Sequence, residues 1–162
     1  MLWAATTHLV KGADRTAERQ LRAYIYVEQT NFRLAPQGWE ITYRIKNFGH
    51  TPAHNVRLIS IAKVVDWVNG KPADIPLPNQ VQTVGSMAPS GDYFEFDEKI
   101  EGSATQVDIA NGIKAIYLVG TIVYDTAFET ARRTTDFRYY IGGDVGCVGH
   151  EMFADSKGND AT

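Results

Sequence analysis

The order of apolar and polar residues changes at about residue 22, where a helical repeat gives way to an alternating one. Residues 1–21 place apolar side chains at spacings of three and four, which form one stripe on a helix. Beyond them, Trp39, Ile41, Tyr43 and Ile45 alternate with polar residues, as in a half-buried antiparallel strand. The pattern predicts an N-terminal amphipathic helix over residues 1–21 and a β-rich domain over residues 22–154.

The β-rich part contains several further runs of strand type separated by Gly and Pro turns. A strand that is apolar at both its odd and its even positions is typical of the centre of a sheet. We predict strands at residues 23–27, 39–46, 56–65, 94–97, 115–124 and 134–141. Short strands at regular spacing indicate an all-β, immunoglobulin-like antiparallel β-sandwich. Residues 104–111 fit a short helix closed by Gly112, and the polar residues 155–162 fit a flexible tail.

Composition narrows the class of protein. A chain of 162 residues with 44% hydrophobic and 22% charged residues fits one soluble domain. A net charge of −3 argues against a nucleic-acid-binding protein, which normally carries a basic face. The single cysteine, Cys147, cannot form an internal disulfide. The apolar run at 115–124 is shorter than the ~20 residues of a membrane-spanning helix.

Charge is distributed unevenly along the chain. The first 22 residues hold Lys11, Arg15, Arg19 and Arg22 but few acids, whereas the remainder is net acidic. A basic segment joined to an acidic body suggests two different environments. Basic residues close to a membrane would also keep that side in the cytoplasm.

A short motif follows the first alternating strand. Its polar and conformationally special residues are those of a corner between two strands: Asn47 tolerates unusual backbone angles, and Gly49 permits a positive φ. Pro52 forces the preceding residue to be extended. The full pattern Asn-x-Gly-x-Thr-Pro-Ala-x-x-Val comprises Asn47, Gly49, Thr51, Pro52, Ala53 and Val56.

This motif resembles one in uncharacterised bacterial membrane-anchored proteins with an immunoglobulin-like β-sandwich domain. Residues 16–24 and the stretch from Gly120 to Phe137 are similar to the same proteins. The resemblance implies a transmembrane helix before residues 9–22 and a domain held at the membrane. It implies no activity, because the matching residues have structural roles.

Three sets of residues are candidates for metal or catalytic sites. His50 and His54 have a zinc-like spacing, but Pro52 between them prevents the helix that this spacing needs. The acidic run from Asp92 to Glu101 lacks the glycine of a calcium loop. Cys147 has His150 three residues on, but a catalytic thiol needs a base and a third orienting group. We therefore expect no cofactor, no metal and no catalytic residues.

The remaining candidates are contact residues. Trp39 and Trp67 lie near predicted loops and would be anchors for a partner if they were exposed together, and Arg132 and Arg133 could contact an anion. The sequence thus predicts a non-catalytic protein-interaction module at the cytoplasmic face of a bacterial inner membrane. Its partners would be an unknown protein, the membrane surface through the N-terminal helix, and a second copy in a homodimer. The alternatives are a small-ligand or ion-binding domain and a hydrolase with an unrecognised site.

Overall fold

The computed structural model describes residues 17, 20–35, 38–67, 75–127, 132–143, 151–156 and 158–162. This part of the chain includes eight strands and one short helix. The strands are β1 (Ile25–Ala35), β2 (Gly38–Asn47), β3 (Ala53–Asp66), β4 (Gln82–Met87), β5 (Phe94–Glu101), β6 (Lys114–Thr126), β7 (Arg133–Gly142) and β8 (Phe153–Ala154); the helix is α1 (Gln106–Ala110). The predicted N-terminal helix lies almost wholly outside the described residues.

The strands form one sheet in the order β1-β2-β5-β3-β6-β7-β8. Strand β4 is not part of this order and pairs with β3. The sheet is curled into a half-barrel. Strand β5 connects the two halves of the sheet, because its first part pairs with β2 and its last residues, Ile100 and Glu101, pair with β3 in parallel. The prediction of a mostly β domain is confirmed, whereas β4 and β8 were not predicted.

The concave side of the half-barrel encloses the main core. Alternate residues of β2, namely Ile41, Tyr43 and Ile45, are fully buried there, as their pattern predicts. The rings of Tyr43 and Phe137 pack with their centroids 5.8 Å apart, which joins the β2 side of the sheet to the β7 side. Burial of these large side chains is the main source of stability for such a domain.

A second, smaller cluster covers the convex side of β3 and β6. Val65, Ala115, Tyr117 and Val119 are buried there, and Ile75 packs over them. Strand β6 therefore buries side chains on both faces. This explains why its sequence is apolar at odd and even positions, and it confirms the prediction of a central strand.

Helix α1 matches the predicted helix at residues 104–111. Its start is fixed by a capping box, in which Asp108 N donates to the hydroxyl of Thr105 and the Asp108 carboxylate accepts from Thr105 N. The turn after it uses Gly112 at φ 68°, the left-handed conformation that favours glycine at helix ends.

The C-terminal residues pair with the sheet, where the sequence suggested a flexible tail. Asp136 N donates to Asp160 O at 2.8 Å, and Thr162 N donates to Thr134 O at 2.9 Å. The side chain of Asn159 also bonds both the amide and the carbonyl of Arg138. Polar residues hold this edge because an exposed strand edge offers unpaired backbone groups.

Candidate functional site

The side chain of Asn47 is fully buried at the end of β2 and makes four hydrogen bonds. Its Oδ1 accepts from Tyr24 N at 3.1 Å and from Gly49 N at 2.9 Å. Its Nδ2 donates to Thr51 O at 2.8 Å and to Met87 O at 3.3 Å. We call this arrangement the Asn47 clamp. It joins the residues before β1, the β2–β3 turn and the end of β4.

Gly49 belongs to the same arrangement, for a reason that the sequence did not suggest. Its φ is not positive, so the left-handed conformation that glycine permits is not used here. A Cβ atom at this position would lie 2.2 Å from Arg22 O and 2.6 Å from the Cα of Ala23. Glycine is required here because residues 22–24 pass directly over it. Phe48 N completes the contact with a 2.7 Å hydrogen bond to Tyr24 O.

The clamp lies at one end of the half-barrel, which we call the Asn47 end. The Asn47 end comprises residues 20–24, the β2–β3 turn at residues 48–52 and the β4–β5 connection at residues 88–93. Strands β6 and β7 also bring Asp125 and Arg132 to this end, because Thr126 pairs with Ala53. The motif residues Thr51, Pro52, Ala53 and Val56 lie in the turn and the first part of β3, and Ala53 and Val56 are fully buried. The motif therefore forms the structural base of this end.

Three cation–aromatic pairs lie at the Asn47 end, and we call them the cation–aromatic patch. The guanidinium carbon of Arg22 is 4.6 Å from the ring centroid of Tyr24, and that of Arg44 is 4.1 Å from the ring of Tyr93. The ammonium of Lys46 is 5.8 Å from the ring of Phe48. Such pairs are favourable when a cation lies over a ring face.

Two cations of this patch are also paired with acids. Arg44 Nε lies 2.7 Å from a carboxylate oxygen of Glu95, and this hydrogen bond raises the pKa of the Arg44 guanidinium. Lys46 Nζ lies 3.1 Å from Glu28. Two of the three cations of the patch are thus balanced by acids.

The opposite end of the half-barrel, the Trp39 end, holds a groove of about 550 Å³. The groove opens where β2 and β5 separate beyond the Glu40–Lys99 pair. Trp39 lines it, is half-buried, and donates from Nε1 to Ala104 O at 3.0 Å. Three exposed apolar side chains lie at the same end: Leu34, Val107 and Ile113, with 56%, 64% and 54% of their surface accessible.

Trp67 is at the same end as Trp39, but it packs in a different cluster. Its ring stacks on Tyr140 with 5.6 Å between centroids, and Tyr140 stacks on Tyr117 at 5.3 Å. Gly143 passes so close that a Cβ there would lie 2.4 Å from the indole. Trp39 belongs to the main core and Trp67 to the convex cluster, so the structure does not join the two tryptophans in one surface.

The two candidate arginines are far from both tryptophans. Arg132 lies at the Asn47 end, where its Nε is 3.5 Å from Asp125. Arg133 is the first residue of β7 and is opposite Tyr124 in the ladder. The four predicted contact residues therefore divide between the two ends of the half-barrel.

The acidic run on β5 is dispersed among separate partners. Glu95 pairs with Arg44, and Asp97 accepts from the hydroxyl of Thr42 at 2.7 Å. Glu98, on the other face, accepts from Ser60 Oγ. Within the described residues, no group of three or more His, Cys, Asp or Glu side chains is placed to hold a metal ion. Cys147 and His150 lie outside those residues.

Ser60 also connects the acidic run to the core. Tyr43 donates from its hydroxyl to Ser60 Oγ at 2.8 Å, and Ser60 in turn donates to Glu98. Burial raises the pKa of Tyr43, because the phenolate would lose its hydration. These two linked hydrogen bonds satisfy the buried hydroxyl of Tyr43 and fix β2, β3 and β5 relative to one another.

No protein-family model, curated protein or solved structure matches this chain. Among the described residues, no helix is long and apolar enough to cross a membrane.

Proposed function

We propose that this chain is a non-catalytic interaction module tethered at the cytoplasmic face of a bacterial inner membrane. The observation that carries the proposal is the Asn47 clamp. It fixes residues 22–24, which connect the basic N-terminal segment to the domain, by backbone hydrogen bonds at Tyr24. A flexible linker would limit only the distance of the domain from the membrane, whereas a clamped segment also limits the orientation of the domain. Such a rigid connection suits a domain that must face in one direction from a surface.

We further propose that the half-barrel is a curled immunoglobulin-like β-sandwich. The inner faces of the β1-β2-β5 half and of the half that contains β6 and β7 are opposed across one core. The contact between Tyr43 and Phe137 supports this arrangement. Opposed inner faces of two sheets are the defining feature of sandwiches.

The proposed partner surface is the Trp39 end, because it lies opposite the clamp and would point away from the membrane. Leu34, Val107 and Ile113 are exposed there, and Trp39 lines the groove. Aromatic anchors surrounded by apolar side chains are typical centres of protein–protein interfaces. A protein partner is therefore the occupant that this surface favours.

Fractionation of source cells tests the tether. We expect the protein in inner-membrane vesicles, with the domain accessible to protease only from the cytoplasmic side. A variant with Lys11, Arg15 and Arg19 changed to Glu should be reduced in the membrane fraction. A matched variant with Arg57, Lys63 and Lys99 changed to Glu should not. Recovery of the wild-type protein only in the soluble fraction would contradict the proposal.

A small-ligand-binding function is the second candidate, and the groove at the Trp39 end favours it. Its volume of about 550 Å³ falls in the range of small-molecule sites, roughly 300–1,000 Å³. Native mass spectrometry of protein purified from source cells would detect a copurifying ligand. Loss of that ligand in Leu34→Asp, with retention in Val81→Asp at an exposed position away from the groove, would favour this function over protein binding.

A further inference from the structure

We infer that the Asn47 end rests against the bilayer, with Phe48 and Tyr93 in the interfacial layer of lipid headgroups. This inference rests on the proposed tether and adds to it a contact surface and an orientation. It concerns the domain itself, whereas the tether concerns the segment that precedes it.

The exposure of the patch is the first argument. Phe48 and Tyr93 have 49% and 45% of their surface accessible, and Tyr26, opposite Lys46 in the β1–β2 ladder, has 38%. These rings lie on three neighbouring segments at one end of the sheet. Large aromatic side chains left together at a surface mark an interaction site.

The position of the chain entry is the second argument. Phe48 N donates a hydrogen bond to Tyr24 O. Phe48, with its exposed ring, is therefore bonded to the chain at the point where the N-terminal segment joins the domain. A tether that ends at Arg22 therefore brings this end, and not the Trp39 end, to the membrane. The clamp prevents the domain from turning over, because residues 22–24 are fixed to the β2–β3 turn.

The chemistry of the patch is the third argument, and it favours a bilayer over a protein. Aromatic rings with lysine or arginine beside them suit the membrane interface, where the ring enters the apolar boundary and the cation stays with phosphates. The acids Glu28 and Glu95 already balance Lys46 and Arg44. Binding should therefore depend on insertion of the rings more than on net charge.

The experiment uses the full chain bound to vesicles of phosphatidylethanolamine and phosphatidylglycerol, with lipid brominated near the headgroup as the quencher. Phe48→Trp reports on the Asn47 end and Leu34→Trp on the Trp39 end, both combined with Trp3→Phe and compared with Trp3→Phe alone, whose signal comes from Trp39 and Trp67. We expect quenching of the added tryptophan fluorescence at position 48 and none at position 34. The double variant Phe48→Ser with Tyr93→Ser should also partition about tenfold more weakly, because two ring surfaces return to water. The matched double variant Val107→Ser with Ile113→Ser should partition like the wild type.

Cosedimentation of the same samples separates the two proposals. A chain that binds vesicles without quenching at position 48, or with equal quenching at both positions, overturns the inferred orientation and leaves the tether intact. A chain that does not bind vesicles overturns the inferred bilayer contact, and the fractionation of source cells then decides the tether by itself. Quenching at position 48 alone supports the orientation.

Discussion

The backbone amide of Tyr24 donates a 3.1 Å hydrogen bond to the side chain of Asn47, which lies 23 residues further along the chain. The same side chain makes three more hydrogen bonds, so every donor and acceptor of its amide group is used. One buried residue thus joins three separate segments of the fold.

Replacement of Asn47 should destabilise the domain strongly. Asn47→Ala would leave the amides of Tyr24 and Gly49 and the carbonyls of Thr51 and Met87 without this partner. Each buried group left unsatisfied costs about 1–3 kcal/mol, so we expect a loss of at least about 3 kcal/mol in the free energy of unfolding. Urea denaturation measures it. Asn79→Ala, at an exposed position, is the control and should change little; a loss for Asn47→Ala below about 1 kcal/mol would contradict the role of the clamp.

Gly49→Ala should loosen the connection between the N-terminal segment and the domain. The new methyl group would lie 2.2 Å from the carbonyl oxygen of Arg22, which is backbone and cannot rotate away. We expect a cost of about 1–3 kcal/mol from overpacking and faster hydrogen exchange at the Tyr24 amide. The matched control is Gly91→Ala. Its Cβ would lie 3.0 Å from the Cβ of Ala88, and the nearest backbone atom would be 3.4 Å away. Unchanged exchange at Tyr24 in Gly49→Ala would show that residues 22–24 are not clamped there.

The hydroxyl of Tyr43 should make stability sensitive to high pH. Burial raises the pKa of Tyr43 above its ordinary value of 10.0. Above that value the unfolded state loses a proton that the folded state keeps, so the free energy of unfolding decreases as the pH rises further. Tyr43→Phe should make this decrease smaller, at a cost of about 1 kcal/mol at neutral pH for the lost hydrogen bond to Ser60.

Denaturation between neutral pH and strongly alkaline pH checks this prediction. Part of the slope should persist in Tyr43→Phe, because burial also raises the pKa of Tyr139. Tyr93→Phe, at an exposed ring, serves as the control substitution. An identical alkaline slope in Tyr43→Phe and the wild type would exclude the buried hydroxyl as its source.

Asn159→Ala should release the C-terminal segment from β7 without unfolding the domain. The Asn159 side chain accepts from Arg138 N at 2.9 Å and donates to Arg138 O at 3.1 Å, in the manner of a paired strand. We expect faster hydrogen exchange at the Arg138 amide and a change of less than about 1 kcal/mol in global stability, because edge segments open locally. Ser156→Ala is the control. Equal exchange at Arg138 in the two variants would indicate that the backbone alone holds this segment.

The sequence predicted those elements whose side chains carry a clear pattern. Strand β2 alternates between buried and half-exposed residues, and residues 115–119 of β6 are apolar without a break because side chains on both of its faces are buried. Strand β4 was missed because Gln82, Thr83 and Gly85 give no alternation, and Gly85 at φ 101° sits at an irregular part of the ladder. Local patterns indicate burial, but they do not indicate which strand lies beside which.

The candidate site could be predicted only in part, for the same reason. Asn47 and Gly49 were recognised as corner residues, but their partners at Arg22, Tyr24 and Met87 are distant in sequence. The cation–aromatic patch was missed because Arg44 and Tyr93 come together only when β2 pairs with β5. Strand register decides such contacts, and a single sequence does not specify it.

Strand β5 pairs with β2 through residues 94–99 and with β3 through Ile100 and Glu101. Neither half of the sheet can then open without breaking hydrogen bonds to a strand that the other half also needs. The two halves should therefore unfold in a single cooperative transition, in which tryptophan fluorescence from the main core and from the convex cluster changes at the same denaturant concentration. We therefore expect no stable half-folded form of this half-barrel.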